Sequence, residues 1–467
     1  MTALRKNREF TADKPRDTAA RSPRLPRYTS YPTALQFGPL AGQDHVAWLR
    51  ALPADEPVSL YFHIPFCDQL CWFCGCYTHI ANQYDPVSRY LETLLAELAL
   101  TSSLTGRKKV SHIHFGGGSP TILEAGDFER LMNAVREAYE ILPEAEIAVE
   151  VDPRTLSREK VAAYGRSGVN RVSMGIQDFD DKVQKTINRI QTAGLIEDCL
   201  RWFRTAGIED INFDLIYGLP NQTQETIRET VLQTVFYRPS RIALFGYAHV
   251  PWMKKHQAMI SAETLPGQIQ RQAMFDQARK TLVDCGYQAI GLDHFALPGD
   301  SLIEALDDGL LRRNFQGYTA DKADTLIGFG ASAISSLPGG YAQNSTDMRV
   351  YRQSIEAGES PVVRGVAVSP QDILVRQLIS DLMCYQQVDP EARLRESGLS
   401  YDFTREFRAL ADLTRAGYMD RKDSMYRITE AGRPYLRAIC SVFDNYLPAN
   451  FEENPDILYR CLHESEG

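Results

Sequence analysis

The sequence predicts an α/β protein: a partial (βα)6 barrel with an N-terminal extension and a mostly helical, winged-helix-like C-terminal domain. Three observations carry this reading. Between Ser59 and about Ile290, short runs rich in β-branched and aromatic residues alternate with longer amphipathic stretches. The residues able to do chemistry follow those runs directly, on what would be the C-terminal rim of a parallel sheet. From about Ser369 the alternation stops and helical patterns take over.

The runs are "SLYFHIP", "VSHIHF", "EIAVEV", "NRVSMGI", "INFDLIYG" and "RIALFGY", separated by helical patterns such as "VSRYLETLLAELAL" and "FERLMNAVREAY". Strand-helix units in series point to parallel strands, because a crossover helix returns the chain to the same edge of the sheet. The expected organisation is an N-terminal extension and lid segment over 1–58, the barrel with accessory strands over 59–368, and the C-terminal domain over 369–467. In the last, "QDILVRQLISDLM" and "TREFRALADLTRAG" read as amphipathic helices and "YMDRKDSMYRITEAG" as a short β-wing followed by another helix. Acidic residues interleave with the basic ones there. A domain covering the barrel mouth is therefore preferred to a DNA reader, which would carry a basic stripe.

The 467 residues carry a net charge of -9, with 44% hydrophobic and 24% charged residues. Such a chain can bury one large core and a smaller second one, and its charge argues against general nucleic-acid affinity. No run approaches the roughly 18 apolar residues of a membrane span, and no apolar signal region follows the first charges, so the expected location is the cytoplasm. The first 27 residues are locally basic and read as a tail. Order is expected to begin at "PRYTSYPT", residues 26 to 33, whose tyrosines and prolines suggest a segment covering the substrate entrance. Cys199, Cys285, Cys384, Cys440 and Cys461 are scattered singly and read as small hydrophobes of a reducing compartment.

"CDQLCWFCGC", residues 67 to 76, concentrates four of the nine cysteines. The C-x3-C-x2-C spacing of Cys67, Cys71 and Cys74 lets three thiolates of one loop reach one metal centre, and three ligands on a four-iron cluster leave one iron open to a substrate group. Zinc held by these three with Cys76 is the alternative, a closed tetrahedron. It is disfavoured because zinc knuckles pair two C-x2-C units across a longer gap, and because aromatics Phe66, Trp72 and Phe73 surround this loop. After the second run, Gly116, Gly117 and Gly118 offer backbone that a ligand can approach closely. Glu150 ends the third. Two features are set aside. "GFGASA", residues 328 to 333, fits a dinucleotide fingerprint, but Pro338, Gly339 and Gly340 follow too soon for the helix it needs. His63 and His114, inside strand patterns, read as packing residues.

The cysteine motif after the first strand and the glycine turn after the second resemble the radical S-adenosylmethionine (SAM) superfamily. Within it, "PRYTSYPTA", "HIPFCDQLCWFCGC", "HFGGGSPT", "VEVDPRTLS", "RVSMGIQDF", "INFDLIYGLP", "YAHVP", "GLDHFA", "RRNFQGYT" and "GASAIS" resemble, in order from Arg27 to about Ser335, the oxygen-independent coproporphyrinogen III oxidases. The resemblance implies a radical SAM barrel with one [4Fe-4S] cluster on Cys67, Cys71 and Cys74. SAM would chelate the open iron and be cleaved reductively to a 5'-deoxyadenosyl radical, with a second SAM beside it. Tyr61, Gly117, Glu150 and Ile334 match positions around the cluster-bound SAM. Phe73, Gly118, Ser119, Gln177, Arg189, Asp214 and Ala248 match those around the second, and the Arg189 guanidinium suits a methionyl carboxylate. Ser119 stands where threonine is expected.

The same resemblance implies that Cys76, turned off the cluster, and Phe315 and Gln316 lie beside the reacting groups. The implied reaction is the decarboxylation of two propionates of coproporphyrinogen III to vinyl groups, giving protoporphyrinogen IX. Implied partners are that substrate, an electron donor such as flavodoxin or ferredoxin, and an electron acceptor of unknown identity, with no nucleic acid, no membrane and a monomeric enzyme. Arg27, His249, His294 and Arg313 are candidate cations for the substrate's carboxylates. Competing readings are a haem-binding chaperone, which should lack the "CGC" and "NFQG" blocks, a SAM-dependent radical methyltransferase on the same barrel, and an iron-sensing winged-helix regulator.

Overall fold

Alternation within the first strand decides which side chains enter the barrel. The computed structural model describes residues 25–447; most of the basic N-terminal stretch and Cys461 lie outside the described residues. In Val58–Ile64 (β1), Leu60, Phe62 and Ile64 are fully buried against the surrounding helices, so Ser59, Tyr61 and His63, one residue out of phase, face the interior. The same rule applies to Lys109–Gly117 (β2), Glu140–Val151 (β3), Arg171–Gln177 (β4), Asp210–Tyr217 (β5) and Arg241–Gly246 (β6). Each pairs in parallel with the next. The six expected strand-helix units are present.

The helices that return the chain are Asp85–Thr105 (α1), Ala125–Ala138 (α2), Arg158–Arg166 (α3), Ala193–Thr205 (α4), Gln224–Tyr237 (α5) and Gln268–Asp284 (α6). Helix α2 buries Phe128, Leu131, Met132 and Val135 at helical spacing, each contributing about 1.5–3 kcal/mol. Thr192 caps α4 through its hydroxyl, and α4 buries Ile196, Cys199, Leu200 and Phe203. Cys199, Cys384 and Cys440 are buried as expected of small hydrophobes. Cys285 is not: it ends α6 and is exposed.

The ladder does not close. Thr325–Phe329 (β7) adds a seventh parallel strand on the outer side of β1, followed by the antiparallel strands Ile334–Leu337 (β8), Gly340–Asn344 (β9) and Val362–Ala367 (β10). At the other edge, β6 pairs with His294–Ala296 and that strand with Gln288–Ile290. "GFGASA" is therefore the bend of a β7–β8 hairpin, with no helix after it. A buried ionic floor fills the N-terminal end of the barrel: Arg171 Nε donates to Glu146 at 2.8 Å and Arg241 Nη2 to Asp300 at 2.7 Å. Arg171 and His112 hold Glu146 at about 2 against the opposing effect of its burial.

Pro370–Tyr385 (α7) and Thr404–Arg415 (α8) pack with a three-stranded antiparallel sheet, Gln387–Val388 (β11), Met419–Lys422 (β12) and Met425–Ile428 (β13). Ser369 and Asp372 cap α7 reciprocally. Their core, around Leu378, Leu382, Leu410 and Tyr426, also takes in Tyr28 and Tyr31 from the N-terminal segment. Among the described residues no helix is long and apolar enough to cross a membrane.

Candidate active site

The cysteine loop leaves β1 at the rim and is pinned from three directions. Trp72 N donates to Ile187 O at 2.9 Å, Gln257 Nε2 to Phe73 O at 3.0 Å, and Lys254 Nζ to Cys76 O at 2.9 Å. Trp72 and Phe73 pack on Val183, Ile187, Leu219, Tyr247 and Ile260. Each of the three predicted ligand sulfurs has a donor. Thr78 Oγ1 donates to Cys67 Sγ at 3.2 Å, Arg154 Nη2 and Arg189 Nη1 approach Cys71 Sγ at 3.2 and 3.5 Å, and Cys76 N donates to Cys74 Sγ at 3.4 Å. Donors of this kind favour thiolates.

Burial pushes the Cys67 thiol up to about 12, an effect that Cys74 and Cys71 add to electrostatically. The Cys76 thiol donates to Cys74, lowering the Cys74 pKa and raising its own. Among the described residues no three His, Cys, Asp or Glu side chains close on a single ion. A polynuclear cluster makes a different demand, one thiolate per iron. Three sulfurs of one loop, each with a donor and with two guanidiniums beside Cys71, fit it.

Inside the rim, Glu150 presents its carboxylate to the lumen, 39% of its side chain accessible there. His114 Nε2 stands 3.0 Å from Oε1, and Gly117 N donates to Oε2 at 3.2 Å. Burial would raise its pKa, but these two partners hold it below the ordinary carboxylate value. Tyr61 OH lies 2.9 Å from His63 Nδ1, and its ring stacks on His114 at 5.8 Å. His63 and His114 thus line the lumen, contrary to the packing role expected of them. The alternation in "VSHIHF" was the available signal, since Ile113 and Phe115 take the buried phase.

The glycine turn is explained by protein contacts. A Cβ on Gly117, where φ is +114°, would lie 2.7 Å from the His63 ring, and one on Gly118 would lie 2.8 Å from Phe66 N and 2.5 Å from Thr78 Oγ1. Ser119 is buried, its hydroxyl 2.5 Å from Thr121, which lies 2.7 Å from Thr155.

Arg189 stands at the cysteine loop: its Nη1 donates to Asp152 at 3.0 Å beside Cys71, and its Nη2 donates to Gly175 O at 2.6 Å. Gln177, at φ +69°, shares with Arg189 the space over Gly175. Burial opposes ionisation of Asp152, but Arg189 and Arg154 hold it at about 2. Arg154, inside the block "VEVDPRTLS", is a site residue that sequence reasoning passed over. Asp214 accepts from Ser173 and Asn212, both at 2.7 Å, and burial raises it to about 6. Ala248 is exposed after β6, and Ile334 opens β8, half-buried. Phe315 and Gln316 form the tip of the hairpin Arg312–Asn314/Gly317–Thr319. Phe315 meets the Tyr341 ring edge-on at 5.9 Å, and the buried Gln316 Oε1 has no partner.

Residues 61–233 match the radical SAM superfamily. The chain is 44% identical over 437 residues to the oxygen-independent coproporphyrinogen III oxidase of Bradyrhizobium diazoefficiens, covering 91% of this chain and 95% of that protein. It is 41% identical to the enzyme of the same name from Paracoccus denitrificans, over 91% and 94% of the two chains. The solved structure of coproporphyrinogen III oxidase from Escherichia coli, described as a radical SAM enzyme, superposes with a TM-score of 0.86 over 90% of this chain and 98% of that one, at 38% identity. With the open six-unit barrel and the three-cysteine rim already in place, these likenesses show that the chain belongs to the oxygen-independent coproporphyrinogen III oxidases of the radical SAM superfamily.

Proposed function

We infer that the protein catalyses the oxygen-independent decarboxylation of two propionates of coproporphyrinogen III to vinyl groups, giving protoporphyrinogen IX. The observation that carries this is the meeting of the three donor-capped thiols with Tyr61 and Glu150 at one end of an open barrel. Cys67, Cys71 and Cys74 would hold one [4Fe-4S] cluster. When bound, the cluster and SAM supply a 5'-deoxyadenosyl radical able to take a hydrogen atom from a propionate β-carbon. Loss of carbon dioxide and of one electron to an acceptor then completes each vinyl group.

The chain's own part is positioning. Glu150, ionised and with lone pairs left over from His114 and Gly117, suits ribose hydroxyls. Tyr61, Gly117 and Ile334 are assigned beside the same SAM. A second SAM is assigned to Phe73, Gly118, Ser119, Gln177, Arg189, Asp214 and Ala248. Arg189 already serves Asp152 and Cys71 in this arrangement, so it would bridge the two sites. Cys76, Phe315 and Gln316 are assigned to the reacting end, and packing around them would exclude water. The donor is read as a flavodoxin or ferredoxin, the enzyme as a monomer without nucleic-acid or membrane partners, and its setting as the cytoplasm, in keeping with the free cysteines among the described residues.

Anaerobic incubation of the reconstituted protein with coproporphyrinogen III, SAM and a reductant tests the reading. Protoporphyrinogen IX should form together with carbon dioxide and 5'-deoxyadenosine and without S-adenosylhomocysteine. Methyl transfer to the porphyrinogen, or no consumption of it, would refute it.

A further inference from the structure

Beyond β6, on the open side of the barrel, arginines gather without matching carboxylates. Asp293, just before the strand His294–Ala296, lies 2.8 Å from His294 Nδ1 and 3.8 Å from Arg313 Nη1. Arg313 is buried, with 8% of its side chain exposed. Its Nε and Nη1 make no hydrogen bond, and its guanidinium lies 4.6 Å from the centre of the Tyr318 ring. Arg27 of the N-terminal segment and Arg437 of the helix Leu436–Cys440 lie within electrostatic reach of the same Asp293 and of each other, and Arg437 also of Tyr217 and Arg313. Arg271, in the first turn of α6, completes the group. Its Nη2 donates to Tyr247 O at 2.6 Å, its guanidinium lies 6.0 Å from the centre of the Tyr217 ring, and a Cβ on Gly218 would come within 3.2 Å of its Cζ.

Three guanidiniums, those of Arg27, Arg313 and Arg437, therefore neighbour one carboxylate, and Arg271 adjoins them across the Tyr217 ring, in a chain whose net charge is -9. Among the described residues, no carboxylate stands at ion-pair distance from Arg27, Arg271 or Arg437, and Asp276 of α6, also near Tyr217, accepts from Gln272. Arg313 is buried and Arg271 half-buried, while Arg27 and Arg437 stand exposed beside them; like charges held close together repel, and an anion joining them relieves that repulsion. The group also adjoins the barrel, because His294 pairs with Ala243 of β6 and its ring meets Phe245 edge-on at 6.0 Å.

We propose that Arg27, Arg271 and Arg437 bind propionate carboxylates of the porphyrinogen, and that the carboxylates they hold are the two that survive the reaction. The first half rests on the function proposed above, whose substrate carries four carboxylates, and guanidinium forks are suited to them. The second half follows from what changes during turnover. An arginine clamped on a reacting carboxylate would stabilise the ground state and oppose the departure of carbon dioxide. A surviving carboxylate keeps its charge throughout, so its contact need never be broken for chemistry. The lumen itself holds the carboxylates of Glu150 and Asp214, which makes it a poor anchor for further anions.

The test is equilibrium binding of coproporphyrin III, with four carboxylates, and of protoporphyrin IX, with only the surviving two, to the reconstituted holoenzyme and to its Arg271→Ala and Arg437→Ala variants. Each substitution should weaken binding of both porphyrins by about tenfold, in line with the loss of a charged hydrogen bond. It should raise KM for coproporphyrinogen III in parallel and leave the cluster absorbance and thermal midpoint in place; Arg271→Lys and Arg437→Lys should recover part of the affinity. Wild-type affinity for coproporphyrin III in both alanine variants would overturn the proposal, and weakened coproporphyrin III binding with unchanged protoporphyrin IX binding would overturn its second half. A wild-type enzyme that does not consume coproporphyrinogen III would instead defeat the underlying functional reading, so the two failures are distinguishable.

Discussion

Donors spread unequally over four neighbouring thiols give each cysteine a different expected phenotype. Cys67, Cys71 and Cys74 each receive a hydrogen bond at sulfur, whereas Cys76 contributes its own N–H and thiol to Cys74. Alanine at any of the first three should collapse iron retention. Cys76→Ser should keep four irons and four sulfides, since serine still donates to Cys74, while losing most formation of protoporphyrinogen IX. Iron and sulfide analysis of the four purified variants decides this, and an equal fall in all four would mean that Cys76 is a ligand.

A second residue, Glu97 of α1, is buried where Gly330 N, Asn344 Nδ2 and Tyr351 OH all reach it at 2.7 Å. Burial outweighs these donors and raises its pKa from 4.5 to about 7. The folded protein therefore binds this proton more tightly than the unfolded chain. Stability from Glu97 is full below the unfolded value, is lost as pH rises through about 7, and is flat beyond, a loss of about 3 kcal/mol. The difference in Tm between Glu97→Gln and wild type should shift in favour of the variant between pH 5 and pH 8. A pH-independent difference would remove Glu97 as the titrating group.

At the scale of elements, the segment before the barrel and the last turns of the C-terminal domain behave as one piece. Tyr28 OH donates to Asp444 at 3.0 Å, Asn445 N donates to Tyr31 OH at 2.9 Å, and the Tyr31 and Tyr446 rings meet edge-on at 5.7 Å. The residues that "PRYTSYPT" offers as an entrance cover are thus also core residues of a domain more than 300 positions away. Tyr31→Ala removes a fully buried ring and should cost about 3–5 kcal/mol. Limited proteolysis should then cut within the C-terminal domain while iron content is kept, and an unchanged digestion pattern would show that the segment does not brace that domain. Deleting residues 1 to 35 should have the same effect and also abolish porphyrinogen turnover.

At the scale of the molecule, the open barrel joins a rim that carries the cysteines to a side wall built from the N-terminal segment, the Arg312–Thr319 hairpin and the C-terminal domain. Arg189 ties the cysteine rim to Asp152 and to the Gly175 carbonyl of β4. Equilibrium binding should saturate at two SAM per reconstituted chain. Arg189→Ala should lower this to one and, because of its contact with Cys71, also perturb the cluster spectrum. Saturation of the wild type at one would eliminate the second site.

What was legible in the sequence is what local periodicity and chemical type encode. The six parallel units, the helix faces, the wing of the C-terminal domain and the crowding of cysteines, glycines and Glu150 onto one rim all follow from alternation of period two, helical spacing and the positions where runs end. The same alternation could have turned His63 and His114 inward. Other features depend on atoms distant in sequence, and only the tertiary structure decided them. Arg154 and Arg189 reach Cys71 from 83 and 118 positions away, β7 pairs with β1 across the outer edge, and Tyr28 and Tyr31 enter a core assembled at the other end of the chain. Arg27, Arg271, Arg313 and Arg437 lie on four separate elements and share no motif. Their excess charge exists only where the fold brings them around Asp293 and Tyr217, because electrostatic and packing energies depend on distance in space and carry no trace in local sequence order.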